Sequence, residues 1–214
     1  MERDPWRRII LAYAATYARD GLTALLALDD ALALLLRTTT QPAVGQLRLA
    51  WWREALAKLD IAPAPAEPVL QALARHVLPK GVRGEALVPI VHGWEVLIEE
   101  DVLGHAALVQ FGEGRGRLFA TAATILSANA SDPVEIAGQG WALADLAGNL
   151  ADPREAAEAR AIAAPLLAEA AGQRWSRNGR ALGALTHLAR IGLEAPQMGP
   201  RHVARLFWHR LTGC

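Results

Sequence analysis

The sequence predicts an all-α protein, a single helical bundle, on three observations. Ala and Leu supply 77 of the 214 residues, and both favour helices, whereas the β-branched residues that favour strands are sparse. Apolar residues recur at i, i+3 and i+4, and no stretch alternates as a strand would. A chain of this length suits one domain with a sizeable core. We therefore expect eight to ten helices in one domain over residues 1–214.

In the first half, breaks in the apolar periodicity separate five predicted helices. Helical spacing begins near Trp6 and runs to about Tyr17, and Gly21 interrupts it before a second helix. Thr38 to Thr40 and Pro42 form the next boundary, and a linker rich in Pro and Ala follows the third helix. The predicted helices cover about residues 6–17, 22–36, 43–59, 67–78 and 84–101.

The second half predicts further helical segments, of which the first two are short and adjoining. Helices are expected at about residues 103–110 and 115–128, joined by a glycine-rich stretch, residues 111–116, which we interpret as a flexible turn that allows close helix packing. Ser131-Asp132-Pro133 predicts an N-cap region, and Asp152 with Glu155 three residues later predicts a capping box. The remaining helices are expected to run to residue 150 and over residues 153–171, 180–191 and 200–211.

Composition excludes several classes of function. Basic and acidic residues number 22 each, so the charge balance does not favour nucleic acid as a partner. Cys214 is the single cysteine, which rules out an intrachain disulfide and a thiolate metal site. The first residues do not resemble a signal peptide, and no uncharged run is long enough to span a bilayer. The six histidines show no metal-ligand spacing and are expected at the surface. We expect a cytoplasmic protein.

The most informative stretch is residues 47–56, Leu-Arg-Leu-Ala-Trp-Trp-Arg-Glu-Ala-Leu. On a helix, Trp51 and Trp52 are about 100° apart, so both cannot point to the centre of one core. One interpretation is a helix buried on two sides, with Arg48 and Arg53 paired to acids on neighbouring helices. The other is that one tryptophan lines an apolar cavity. Under either, at least one tryptophan is expected to be buried.

This stretch resembles a motif of the squalene/phytoene synthase family, whose enzymes join two prenyl diphosphates head to head. Weaker similarity extends over residues 25–56, 114–126, 137–150 and 207–211. The resemblance implies a bundle of the isoprenoid-synthase type that binds an isoprenoid or lipid ligand. The substrate-binding residues that it implies are Asp29, Asp30, Arg48, Trp51, Trp52 and Arg53.

The aspartate motifs of that family are degenerate here. The family's enzymes hold Mg²⁺ ions between two facing motifs that carry carboxylates one helical turn apart. Asp29 and Asp30 form the only aspartate pair of the first region, and Ala33 stands where a third aspartate would be. The pair is equally well explained as a polar helix face or as an ion pair with Arg48 or Arg53. In the second region Asp145 stands alone, and Asp152 with Glu155 could place two carboxylates on one helix face as an alternative to the capping box. We assign no catalytic residue and no metal ligand, and expect no cofactor unless the protein is an enzyme that uses Mg²⁺.

Two functions remain open. The first is a non-catalytic squalene/phytoene synthase-like protein, a pseudoenzyme that acts as a binding or assembly factor with a protein partner, as the family's complex I assembly relative is thought to act. The second is a Mg²⁺-dependent prenyltransferase that makes squalene or phytoene. Four or more carboxylates converging in the interior would favour the enzyme, and one or two the binding protein.

The C-terminal segment also has two interpretations. It carries Arg201, Arg205 and Arg210 together with Leu206, Phe207 and Trp208. Basic and aromatic side chains suit a membrane interface, so peripheral membrane contact through the last helix is one expectation. The alternative is a last helix that docks on the bundle with its arginine stems covering apolar surface.

Overall fold

The computed structural model describes residues 11–194 and 200–213, with nine α-helices and two short 3₁₀ helices in these ranges. No strand occurs within them, so the all-α prediction is confirmed. The 3₁₀ helices are Leu78–Lys80 and Gly84–Leu87. The α-helices are α1 Thr16–Thr38, α2 Pro42–Lys58, α3 Pro68–His76, α4 Val88–Glu99, α5 His105–Leu126, α6 Val134–Asn149, α7 Pro153–Gly172, α8 Arg180–Glu194 and α9 Pro200–Thr212. The predicted helix from Trp6 lies partly outside the described residues.

Helices α5 and α6 form the centre of the bundle. They pack on each other, with α4 against α5, α7 against α6, and α8 against both α6 and α7. Helix α1 covers α3 and α5, while α2 packs mainly on α4 and the second 3₁₀ helix and barely contacts α1. One hydrophobic cluster includes buried residues from all nine helices. The weak α1–α2 contact leaves one flank of α2 outside this core.

Helix α5 is continuous through residues 111–116, so the predicted glycine-rich turn is wrong. The expected close packing is present instead on the helix itself. A Cβ added at Gly114 would lie 2.7 Å from Cα of Gly93 on α4, and one at Gly116 would lie 2.8 Å from the backbone nitrogen of Gln139 on α6. The glycines let the backbones of α4, α5 and α6 touch. The close packing that results offsets the cost of a glycine in a helix, about 1 kcal/mol each.

Helix α1 also runs through the predicted break at Gly21. A Cβ at this position would lie 2.9 Å from the carbonyl oxygen of His76 at the end of α3. Gly21 is therefore a contact point between helices rather than a helix terminator. In both cases the sequence pattern located a glycine whose role is close approach and not a turn.

Of the acidic residues near helix starts, one caps its own helix as expected and two bind more distant backbone. Asp152 caps α7, since its Oδ1 accepts a hydrogen bond from the Arg154 nitrogen at 2.7 Å. Glu155 does not complete a capping box, because its Oε1 accepts from the Leu103 nitrogen at 2.8 Å and ties α7 to the segment before α5. Asp132 is buried and accepts from the Ser176 nitrogen at 2.7 Å, while α6 begins at Val134.

Candidate functional site

A buried arginine occupies the middle of the bundle. Arg115 lies on the core face of α5, and its exposed fraction is 3%. Leu108, Phe111 and Phe119 flank it on that face and are fully buried. A charged group in such a place is unfavourable unless opposite charges and hydrogen bonds compensate for the lost water.

Two aspartates from different helices provide that compensation. Arg115 donates from Nε and Nη2 to the two carboxylate oxygens of Asp29 on α1, at 2.8 and 2.7 Å. Its Nη1 donates to Oδ2 of Asp145 on α6 at 2.7 Å. Asp29 is buried and also accepts from Nε1 of Trp94 at 3.2 Å, whereas the Asp145 side chain is half-exposed. The guanidinium thus bridges the two carboxylates, one deep and one at the rim.

Aromatic rings enclose the faces of the guanidinium. The Arg115 Cζ lies 4.6 Å from the ring centroid of Trp94 and 4.5 Å from that of Trp141, with Phe111 at 5.8 Å. Rings at this distance attract a cation through their electron-rich faces. The arrangement is hereafter the arginine cage, and it consists of Asp29, Trp94, Arg115, Trp141 and Asp145.

The arginine in the cage is charged at every accessible pH. Burial by itself would lower the pKa of Arg115, but the charges and hydrogen bonds of Asp29 and Asp145 raise it above its usual value. The bidentate geometry with Asp29 suits a planar guanidinium better than it suits an ammonium group. The cage is therefore a permanent ion cluster and not a proton-transfer site.

The cage does not fit a magnesium ion. Mg²⁺ needs several oxygen ligands in near-octahedral geometry about 2.0–2.1 Å away. Both carboxylates that converge here already accept hydrogen bonds from the guanidinium between them. Across residues 11–194 and 200–213, no group of three or more His, Cys, Asp or Glu side chains is placed to hold a metal ion. The cation between the two aspartates is supplied by the chain itself.

The six residues implied by the resemblance do not form one site. Asp29 belongs to the arginine cage, and its ion pair is with Arg115 rather than with Arg48 or Arg53, the partners that one interpretation of the sequence suggested. Arg53 Nε instead lies 2.9 Å from Oε1 of Glu95 on α4, and burial raises the pKa of Glu95 although the Arg53 charge opposes this. Arg48 donates to the Thr39 hydroxyl at 2.9 Å. Asp30 is half-buried on α1.

The structure brings Arg48, Trp51 and Trp52 together in a second place. Trp52 is buried with an exposed fraction of 7%, as expected for one tryptophan, while Trp51 is 44% exposed. Their ring centroids are 5.3 Å apart in an edge-to-face arrangement. Both line a groove of about 570 Å³ between α1 and α2. This α1–α2 groove is lined by Ala31, Leu34, Leu35, Thr38, Arg48, Trp51, Trp52 and Glu67.

The C-terminal helix docks on α8 through a pair of histidines. His187 and His209 are buried with ring centroids 4.7 Å apart, so their predicted placement at the surface is wrong. Burial and the neighbouring charges of His209, Arg205 and Arg190 lower the pKa of His187 to about 3. Trp208 and Leu211 are exposed on α9, while the side chains of Arg201 and Phe207 lie outside the described residues.

Membrane contact through α9 stays a prediction. In the part of the chain that the structure describes, no helix combines the length and the apolar character that crossing a bilayer requires.

Sequence reasoning missed Arg115, the residue that organises the interior. Its signal was available, because Leu108, Phe111, Arg115 and Phe119 recur at helical spacing and place one charge on an otherwise apolar face. The interpretation of residues 111–116 as a turn hid this face. A buried arginine in turn requires acids on neighbouring helices, and Asp29 and Asp145 were the candidates.

Comparisons with protein-family models, with curated proteins and with solved structures found no match. The resemblance to squalene/phytoene synthases therefore depends on the residues quoted above, and the isoprenoid-synthase type of the bundle stays a prediction.

Proposed function

We propose that this protein is a non-catalytic squalene/phytoene synthase-like bundle that acts as a binding or assembly factor. The observation that supports this most is the arginine cage. Two carboxylates converge in the interior, and both hold the Arg115 guanidinium at 2.7 Å. Two converging carboxylates are the number expected of the binding protein.

The electrostatics of diphosphate chemistry support the same proposal. Ionising a prenyl diphosphate leaves negative charge on the departing group, and bound metal ions normally stabilise that charge. In this chain, freeing Asp29 for a metal would strip a buried arginine of its bidentate partner. Asp152 and Glu155 cannot substitute, because they accept backbone hydrogen bonds at Arg154 and Leu103.

The outer surface offers what a binding protein needs. The α1–α2 groove lies outside the core, and it combines the indole of Trp51 with the guanidinium of Arg48. Partly exposed tryptophan and arginine are the residues that most often dominate the energy of protein interfaces. A role in binding an isoprenoid, a lipid or a protein partner would use this face rather than the closed interior.

An assay for prenyl transfer tests the proposal. The purified protein is incubated with Mg²⁺ and radiolabelled farnesyl or geranylgeranyl diphosphate, with an active squalene synthase as the positive control. We expect no C30 or C40 hydrocarbon, because no described cluster of carboxylates is free to hold the metal that the reaction needs. A hydrocarbon that disappears in Asp30→Ala, a variant outside the cage, would contradict the proposal.

A further inference from the structure

Exposed apolar side chains concentrate beside the α1–α2 groove. Nine large hydrophobic residues are well exposed in the described parts of the chain. Five of them lie on α1 and α2, and the four other than Tyr17 at the start of α1 lie in the groove or on the helix face of Trp51. Val44, Leu47 and Trp51 are three and four residues apart, so they form one stripe along α2. Leu34 faces the groove from α1. Contiguous exposed apolar surface with polar edges marks interaction sites on soluble proteins. These four residues are Leu34 (50% exposed), Val44 (41%), Leu47 (72%) and Trp51 (44%).

We propose that the α1–α2 groove docks an amphipathic helix of a partner protein that carries apolar residues one turn apart and a carboxylate at one end. This inference rests on the proposed function as a binding factor, and it names the face and the class of partner.

The shape of the groove suits a helix. Its walls are two consecutive helices, and the lining runs from Ala31 to Thr38 on α1, two turns or about 10 Å. The apolar stripe from Val44 to Trp51 on α2 has the same length. A third helix laid between two neighbours buries its apolar residues against both, as in ordinary helix packing and helix-in-groove recognition. Trp51 is placed to act as the central anchor.

The charge of the groove selects the partner. Arg48 lines the groove and donates only to the Thr39 hydroxyl, without an ion pair to any described residue. Arg37, next to Thr38 at the end of α1, is exposed. Of the acids nearby, Glu54 pairs with Lys58 at 2.6 Å, and Glu67 lines the groove and accepts from the Leu70 nitrogen at 2.7 Å. Glu100 and Asp101 lie with the α1–α2 loop in a neighbouring pocket. The Arg48 guanidinium itself has no ion pair among the described residues, so it can bind a carboxylate of the partner.

A second copy of this chain fits the same face poorly. A two-fold axis near Leu47 and Trp51 would bring the two Arg48 side chains toward each other. Two like charges at the centre of an apolar contact are unfavourable. Self-association is therefore treated as an outcome of the test.

The test uses a fluorescein-labelled designed peptide of about 18 residues, long enough to form a helix, with leucines on one face and glutamates beside them. Fluorescence anisotropy is measured with the full chain. We expect saturable binding that Trp51→Ala or Leu47→Ser weakens by about tenfold or more. Arg48→Glu should weaken this peptide and strengthen a matched peptide with lysines in place of the glutamates. The control variant is Ile61→Ser, since Ile61 is 87% exposed away from the groove.

Three results would overturn the inference. The first is no saturable binding, or binding that Ile61→Ser weakens as much as Trp51→Ala does. The second is a dimer by light scattering that Leu47→Ser dissociates, which assigns the face to a second copy. The third is binding to phosphatidylglycerol vesicles through Trp51 with no peptide binding. Because the prenyl-transfer assay is separate, loss of this inference without a hydrocarbon product leaves the proposed function intact.

Discussion

In the arginine cage a charged residue is buried, and in the α1–α2 groove apolar residues are exposed, which is the reverse of the usual preference of each type. In the cage a guanidinium is buried between two aspartates and two tryptophans, with every contact directed at the charge. In the groove Leu34 and Trp51 face water beside the Arg48 side chain, and Val44 and Leu47 are exposed next to it on α2. Most charged residues are exposed and most large apolar residues are buried, so both regions depart from the rule.

The two regions differ in whether other residues of the chain stabilise the unusual burial or exposure. The charge in the cage has its acids and rings in place, so the interior is complete. The apolar surface of the groove has nothing to cover it within the described structure. A complete interior indicates a structural role, while an uncovered surface indicates that something outside the chain completes it.

The largest loss of stability is expected when the arginine is removed from the cage. Arg115→Ala should lower the free energy of unfolding by about 3–5 kcal/mol, because it leaves Asp29 buried without a positive partner. Urea denaturation followed by circular dichroism measures this. Replacing Asp29 and Arg115 together by Leu and Met should restore much of the stability, since a whole buried ion pair can be exchanged for apolar groups at little cost.

The rim of the cage supplies the matched control. Asp145 is half-exposed, so Asp145→Asn should lower stability by less than about 1 kcal/mol. If Arg115→Ala unfolds at the same urea concentration as the wild type, the cage does not hold the interior together and the comparison fails.

The adjacent tryptophans of α2 allow the core and the groove to be compared within one helix, because Trp52 is buried and Trp51 is exposed. Trp52→Ala should lower the free energy of unfolding by about 3 kcal/mol, because a large buried ring is lost. Trp51→Ala should cost less than about 1 kcal/mol, because nearly half of this side chain is already in water. Thermal unfolding of the two variants measures both. Equal losses would show that Trp51 is a core residue and that the groove is not a free surface.

A smaller effect than that of Arg115 or Trp52 is expected at His187, which is buried without an acid partner among the described residues. Its pKa is about 3 in the folded protein, below the ordinary 6.5 of the unfolded chain. The unfolded state therefore binds the proton first as the pH falls, and stability decreases below about pH 6.5. Between about pH 7.5 and pH 5.5 the loss should be about 1.4 kcal/mol.

The His187→Leu variant isolates this contribution. Urea denaturation at both pH values should show a smaller pH dependence in the variant than in the wild type. An unchanged pH dependence would mean that His187 is protonated in the folded protein despite its burial, and that the interior accommodates charge more readily than the cage suggests.

The sequence predicted the helices well and their functional contacts poorly. Most helix boundaries follow from apolar spacing and proline, both of which act within one segment of chain. The two breaks predicted at Gly21 and at residues 111–116 were wrong for a common reason. Glycine indicates equally a turn and a close contact, and only the position of the neighbouring helix decides between them.

The contacts of the predicted site residues could not be predicted for a related reason. Asp29 was identified from a local pattern, but its partner Arg115 lies 86 residues away. Choosing between Arg48, Arg53 and Arg115 requires the packing of α1 on α5. The tryptophan pair could be interpreted further, because consecutive helical residues are about 100° apart and cannot both point to the centre of one core.

The glycine contacts determine how quickly the interior can open. Gly93 and Gly114 bring the backbones of α4 and α5 together with no side chain between them. Side chains change rotamer in picoseconds to nanoseconds, but two backbones in contact separate only when the helices themselves move apart. Exchange of the buried partners Asp29 and Arg115 must then wait for a rare, partly unfolded state. The interior is therefore expected to exchange slowly, whereas a ligand can reach the α1–α2 groove without any opening of the bundle.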